Sequence, residues 1–163
     1  MTELQRFEQN ARSNGVLIDT NLLVLLVVGS VNRDRIAQFE RTTDYKPADW
    51  DLLTGIVEQI PHRYSIPRIL SEVNTLTDMK GSERETARAI LQRIIALLDE
   101  LPLASVDACD TPYFLRLGLT DVALGLAAKR TGCSVLTNDR DLYLALYEDG
   151  TPGVKFDHLR AML

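Results

Sequence analysis

Short apolar runs alternate with longer stretches of helical spacing along the chain. The run at 15–19 stops abruptly at an acid, which predicts a short buried strand, and the segment 63–66, just before Pro67, predicts the next short strand. Further runs at 103–106 and 133–137 predict a third and a fourth strand, and the run at 153–156 predicts a last short one.

The segments between these strands have the apolar spacing of helices. Residues 22–28 are apolar all round, which predicts a buried helix that starts at the capping residues from Asp19 onward and ends at Gly29. Ser82 and Glu85 have the spacing of a capping box, and Thr120 is predicted to cap a later helix. The other predicted helices begin at Pro47, Pro67 and Pro112, and one more contains residues 142–146.

This alternation is typical of a parallel sheet with helices on both faces. We therefore predict a single α/β domain over residues 1–163, a three-layer α/β/α arrangement around a mostly parallel central sheet. Residues 30–46 are polar and are interpreted only as a helix with a loop. A chain of 163 residues, 45% of them hydrophobic, is long enough to bury one substantial core.

Charge and cysteine content narrow the classes of protein. The net charge of -5 argues against binding nucleic acid through bulk charge alone. The two cysteines form no C-x-x-C pair, so neither a zinc knuckle nor a redox pair is indicated. The longest apolar run is far shorter than the roughly 18 residues of a membrane span, and the polar segment before it is unlike a signal peptide. We expect a cytoplasmic protein that does not bind membranes.

Four acids fall at the predicted strand ends and the neighbouring helices. Asp19 ends the first strand, Asp139 follows the fourth, Glu72 lies in the helix after the second, and Asp121 opens the helix before the fourth. Ligands of open α/β sheets bind outside the carboxyl ends of the strands, where these acids are expected to meet. Such carboxylates must protonate, stay apart or hold a cation, and an all-oxygen set suits Mg²⁺ or Mn²⁺. The chemistry indicated is phosphodiester hydrolysis by metal-activated water.

A simpler interpretation stands beside this one. Asp19, Asp121 and Asp139 are all placed at helix starts, where aspartate is favoured because it caps free backbone N–H groups. Glu72 caps nothing, but a glutamate on a solvated helix face is common. The spacing leaves both interpretations open.

Four segments, taken together and in order, resemble the motifs of the PIN-domain family over nearly the whole chain. They are Val-Leu-Ile-Asp19-Thr-Asn; Ile-Leu-Ser-Glu72-Val; Gly118-Leu-Thr-Asp121 followed by Ala123, Ala127 and Ala128; and Val-Leu-Thr137-Asn-Asp139-Arg-Asp-Leu. The resemblance implies a cleft lined by acids in a parallel sheet, and a Mg²⁺- or Mn²⁺-dependent ribonuclease activity.

The same resemblance assigns roles to individual residues. It implies that Asp19, Glu72, Asp121 and Asp139 are the catalytic and metal-binding acids. Thr137 and Asn21 match the polar residues that accompany the last and the first acid. From its position alone, Asp141, a second acid near Asp139, is interpreted as a helix N-terminal charge, and contact with the metal, directly or through water, is the alternative.

Partners follow from the resemblance too. Many bacterial members are toxins held inactive by an antitoxin, others process RNA alone, and dimers are common. The segment 30–59 is an extra helical insertion relative to compact toxins, which leaves the toxin assignment open. The alternatives are a non-catalytic module that binds a protein or RNA, and a Mg²⁺-dependent phosphatase.

Other chemistry-bearing residues are secondary candidates. Trp50 and Tyr45 could stack a base, although an aromatic cover of the core is the more common role. His62 and His158 have no partner at useful spacing. Basic residues near predicted strand ends or helix termini could hold RNA phosphates. They are Arg63, Arg68, Arg116, Lys129, Arg130 and Arg140.

Overall fold

Five parallel strands form the central sheet of the computed structural model, which describes residues 1–162. Their spatial order is β3-β2-β1-β4-β5, and Leu17 in the central strand lies opposite Tyr64 on one side and Val135 on the other. The strands are β1 (Val16–Ile18), β2 (Arg63–Ser65), β3 (Asp99–Glu100), β4 (Ser134–Thr137) and β5 (Gly153–Lys155).

Helices cover both faces of this sheet, which confirms the predicted three-layer α/β/α fold. The helices are α1 (Glu3–Asn14), α2 (Thr20–Val31), α3 (Pro47–Gln59), α4 (Pro67–Leu76), α5 (Ser82–Leu97), α6 (Ser105–Cys109), α7 (Phe114–Leu117), α8 (Leu119–Thr131), α9 (Arg140–Glu148) and α10 (Phe156–Arg160). α2 packs against α3, α4 and α5, while α8 packs against α6 and α7. No described helix has both the length and the apolar character needed to cross a membrane.

The core lies around β1 and α2. All three residues of β1 are buried, and so are most of the apolar residues of α2, as the all-round apolar pattern predicts. The inserted segment 30–59 is helical, with two single 3-10 turns (Arg33–Arg35 and Glu40–Thr42) before α3.

The prediction of a third strand at 103–106 is wrong. β3 lies earlier, at Asp99–Glu100, and Ser105–Cys109 is helical. The Leu101 N–H still donates to the Ser65 carbonyl (2.8 Å), but Pro102 has no N–H with which to continue the ladder. Leu103 packs against the core as irregular chain, whereas Val106 lies in α6 and is 73% exposed.

Four predicted helix boundaries are also wrong. The helix predicted to begin at Pro112 is α7, which begins at Phe114. α2 continues through Gly29 to Val31. Gly29 does not end the helix; its missing side chain makes room for the ring of Trp50. Gly81 and Gly118, not Ser82 and Thr120, are the residues before α5 and α8, and neither helix has a side-chain cap. The polar segment 3–14, assigned no element from sequence, forms α1, which begins at a capping box of Thr2 and Gln5.

Candidate active site

The strand order creates a crevice at the carboxyl end of the sheet. From β1 the chain proceeds to β2 and β3 on one side, and only then to β4 and β5 on the other. The connections therefore leave β1 and β4 in opposite directions, and ligands of open α/β sheets bind at this switch point. Asp19 follows β1 directly, and Asp139 lies two residues after β4.

Asp19 is buried at the base of the crevice, with only 4% of its surface exposed. Its Oδ1 accepts the Thr20 N–H (2.7 Å), and its Oδ2 accepts the Thr137 hydroxyl (2.6 Å). Burial raises the pKa of the Asp19 carboxyl; these two hydrogen bonds oppose that effect, and the nearby Asp139 and Glu72 add to it. Asp19 is thus a carboxylate held rigidly in a site that disfavours its charge.

Thr137 connects two of the predicted acids. While its hydroxyl donates to Asp19, it accepts the backbone N–H of Asp139 (3.0 Å). Asp139 in turn accepts the Leu142 N–H (2.8 Å) and so caps α9. The predicted supporting role of Thr137 therefore has a direct structural counterpart.

Glu72 reaches the crevice from α4 and is half-buried. Its Oε1 accepts the Thr120 hydroxyl, and its Oε2 accepts the Thr20 hydroxyl (3.4 Å). The Arg68 Nε donates to the same Thr120 hydroxyl (3.0 Å). The sequence predicts both threonines only as helix caps, yet they fix the Glu72 carboxylate.

Asp121 faces the same crevice from the first turn of α8. Burial, followed by the negative charges of Asp19, Asp139, Glu72 and Asp141, raises its pKa from 3.8 to about 7. That set of charges shows that all four predicted acids and Asp141 share one electrostatic environment.

The other two predicted supporting residues, Asp141 and Asn21, differ in placement. Asp141 is exposed on α9, in the first turn as predicted, and near enough to act on Asp121. Asn21 is exposed on α2 and contacts none of the acids through a hydrogen bond within residues 1–162.

The capping interpretation explains part of this arrangement. Asp19 and Asp139 are the N-caps of α2 and α9 and accept backbone N–H groups. Asp121 and Glu72 cap no helix, because Gly118 precedes α8 and Glu72 lies well inside α4. Two of the four acids therefore have no such structural role.

No described basic side chain forms an ion pair with these four acids. Within residues 1–162, none of the four acids takes part in an ion pair, although eleven ion pairs occur elsewhere. Over the same residues, no three His, Cys, Asp or Glu side chains are arranged so that they could hold one metal ion. The acids share an environment, but their side chains do not form a ready-made metal site.

The aromatic candidates belong to the core. The Trp50 Nε1 donates to the Leu26 carbonyl (3.2 Å), and Tyr45 is buried with its hydroxyl accepting from Asn138 (3.1 Å). His62 is exposed, and His158 lies 3.7 Å from a Glu3 oxygen. Tyr45 thereby touches the residue next to Asp139.

A cavity adjoins the acids on the side of α8. It has a volume of about 340 Å³ and lies between α6, α7, α8 and α9. Its walls include Tyr113, Leu117, Leu142 and Leu146, and Asp121 also lines it.

Compared with known proteins, the chain matches no family model and no curated protein. The resemblance of its motifs to the PIN-domain family therefore stays a prediction from the sequence.

Proposed function

We propose that this protein is a Mg²⁺- or Mn²⁺-dependent ribonuclease of the PIN-domain type. One observation carries the proposal: four carboxylates from four different elements lie around the switch-point crevice, where Asp19, Asp139 and Glu72 act electrostatically on Asp121, and none of the four forms an ion pair within residues 1–162. Such an arrangement costs stability unless the acids protonate or a cation binds them. Active sites are where such costly arrangements are found.

The chemistry of these side chains fits a hard divalent cation. All candidate ligands are carboxylate oxygens, which suit Mg²⁺ or Mn²⁺, and no His or Cys belongs to the set. Asp19, Glu72, Asp121 and Asp139 would hold the ion after their side chains move together, because no three of them are arranged to do so within residues 1–162. When bound, it would activate water and stabilise the charge that develops on an RNA phosphodiester.

The rest of the site positions these acids. Thr137 orients Asp19 and the backbone of Asp139 together, and Thr20 and Thr120 orient Glu72. Hydroxyl groups of this kind keep ligating carboxylates in a productive orientation.

Partners and location are proposed on other grounds. RNA as substrate, an antitoxin protein and a homodimer all rest on the family resemblance. A reducing cytoplasm is the proposed location, since both cysteines are free.

The test is cleavage of a fluorescently labelled oligoribonucleotide by Asp19→Asn. Asparagine keeps the size of the side chain and an oxygen for the Thr20 N–H, but it removes the charge. We expect metal-dependent cleavage to fall at least about 100-fold, because even residues that only support metal ligands contribute 10- to 100-fold. EDTA should abolish cleavage by the wild type.

Asp34→Asn is the matched control. Asp34 is exposed in the 3-10 turn that follows α2, beyond the end of the helix opposite Asp19. It should cleave like the wild type, and equal cleavage by Asp19→Asn would overturn the assignment.

A non-catalytic binding module is the second candidate. It is favoured by the absence, among residues 1–162, of three side chains arranged to hold one metal. Calorimetry with Mn²⁺ separates the two: the ribonuclease should release or absorb heat that Asp19→Asn reduces, and the module should give none.

A further inference from the structure

The structure divides the six basic candidates by whether carboxylates already neutralise them. Three of them form ion pairs with carboxylates on the surface, so they are not free to bind a phosphate. They are Arg116 with Glu148 (3.7 Å), Lys129 with Asp149 (2.7 Å) and Arg130 with Asp107 (3.3 Å).

The other three differ in position. Arg63 is the first residue of β2 and therefore lies at the amino end of the sheet, opposite the crevice. Arg140 is the exposed first residue of α9. Only Arg68 contacts the site itself, through its hydrogen bond to Thr120.

Helix stability does not explain why an arginine stands at position 68 of α4. It is the second residue of the helix, and the first turn contains no acid. A cation there opposes the positive end of the helix dipole. Arg68 is exposed and makes no ion pair with any described residue, so its charge has no partner in residues 1–162.

The hydrogen bond to Thr120 places this cation beside the acids. The Arg68 Nε donates to the Thr120 hydroxyl, which donates onward to Glu72. This hydrogen bond uses one of the five N–H groups of the Arg68 guanidinium. The N–H groups on the outer edge of the guanidinium keep the planar arrangement that matches a phosphate.

We propose that Arg68 binds a phosphate of the RNA substrate at the rim of the crevice. This inference rests on the proposed function. The acids repel an approaching phosphodiester chain, and the net charge of -5 supplies no general attraction. An anchored, unpaired arginine next to Glu72 offsets that repulsion locally and fixes the register of the strand.

The experiment measures binding of a fluorescein-labelled oligouridylate by anisotropy in Mg²⁺, with Asp19→Asn as the parent so that the strand stays intact. Arg68→Gln is the central variant, because glutamine keeps an N–H donor for Thr120 but removes the charge. Arg68→Lys keeps the charge but loses the planar fork. Arg93→Gln, at an exposed arginine of α5, is the matched control.

We expect Arg68→Gln to weaken binding about tenfold or more, as charged hydrogen bonds contribute about 1.5–3 kcal/mol. The slope of log affinity against log salt should fall by about 0.7, the value for one phosphate of a single strand. Arg68→Lys should keep the slope and recover part of the affinity. Arg93→Gln should change neither quantity. A purely structural role would instead lower the melting temperature and leave the salt slope unchanged.

The outcomes separate this inference from the proposed function. If the wild type cleaves the oligonucleotide while Arg68→Gln leaves affinity and slope unchanged, the assignment of Arg68 is wrong and the ribonuclease stands. If the wild type cleaves no oligoribonucleotide with Mg²⁺ or Mn²⁺, the ribonuclease is wrong, and a reduced salt slope in Arg68→Gln would still support a phosphate contact.

Discussion

At the scale of single residues, the four acids differ in what holds them. Asp19 and Glu72 accept hydroxyl groups, and Asp139 accepts a backbone N–H. Asp121 accepts no side-chain or capping hydrogen bond within residues 1–162, and it is surrounded by other acids. Its charge therefore depends most directly on pH and on any cation in the crevice.

We predict that Asp121→Asn stabilises the protein in EDTA, and that the gain grows with pH. Aspartate has an ordinary pKa of 3.8, whereas the folded protein holds that of Asp121 at about 7. Between these values the folded state keeps a proton that the unfolded chain has released, so rising pH destabilises the wild type. Below about pH 4 both states are protonated, and above about pH 7 the penalty is complete.

Urea unfolding of both proteins at a series of pH values checks this prediction. The difference in unfolding free energy should be small at pH 4, rise towards pH 7 and then level off. Asp34→Asn should show no such rise. A gain for Asp121→Asn that is the same at all pH values would show that the carboxyl group is not perturbed.

At the scale of elements, α2 is tied to the inserted α3 by one close contact. The ring of Trp50 lies over Gly29, and a Cβ added at Gly29 would come within 2.2 Å of the Trp50 Cδ1. The same indole donates its N–H to the Leu26 carbonyl (3.2 Å). The glycine is there because of packing between helices, not because the helix ends.

Gly29→Ala should therefore destabilise the protein, although alanine normally favours a helix by about 1 kcal/mol over glycine. Overpacking of this kind typically costs about 1–3 kcal/mol, since Trp50 cannot retreat without losing its hydrogen bond. Gly55→Ala in α3 is the control, because nothing lies within 4 Å of a Cβ at that position. Thermal unfolding should show a lower melting temperature for the first variant and an equal or higher one for the second.

These elements also show how far local sequence patterns reach. The buried β1 is a continuous apolar run, and the buried β4 has the apolar residues Val135 and Leu136 at its centre, so local patterns predict both strands and the acids that follow them. β3 consists of two exposed acids and exists because it pairs with β2. No local pattern identifies such a strand.

The partners of the acids were beyond local patterns for a similar reason. Thr120 and Thr20 are 48 and 52 residues from Glu72 in the chain, so only the fold brings their hydroxyls to its carboxylate. From sequence, a threonine at a helix start is explained equally well as a cap. The positions of the acids were therefore predictable, while their hydrogen bonds were not.

At the scale of the whole molecule, α10 joins the inserted segment to the loop that carries Asp139. Asn138 donates to both the Tyr45 hydroxyl (3.1 Å) and Asp157 (3.2 Å), and it accepts the Asp157 N–H (3.0 Å). The Nη1 of Arg160, in α10, donates a hydrogen bond to the Asp157 Oδ1 (2.9 Å), and the guanidinium lies over the Tyr45 ring. Segments far apart in the chain thus meet next to the candidate site.

The link that closes this network is the fork of Arg160 on Asp49, with Nε and Nη2 donating to the two carboxylate oxygens at 2.9 and 3.0 Å. The side chains of Arg160 and Asp49 are only 26% and 10% exposed, whereas those of Arg33 and Asp51, a pair with a single contact, are 51% and 53% exposed. Water screens the exposed pair, so a double-mutant cycle there should give a coupling of about 0.2–1 kcal/mol. The cycle of Arg160→Ala with Asp49→Asn should give a larger coupling, because removing Arg160 alone leaves a buried carboxylate that costs about 1–3 kcal/mol or more. Urea unfolding of both cycles decides the matter: equal couplings would mean that the fork contributes no more than a surface pair, and that other contacts hold α10 against the inserted segment.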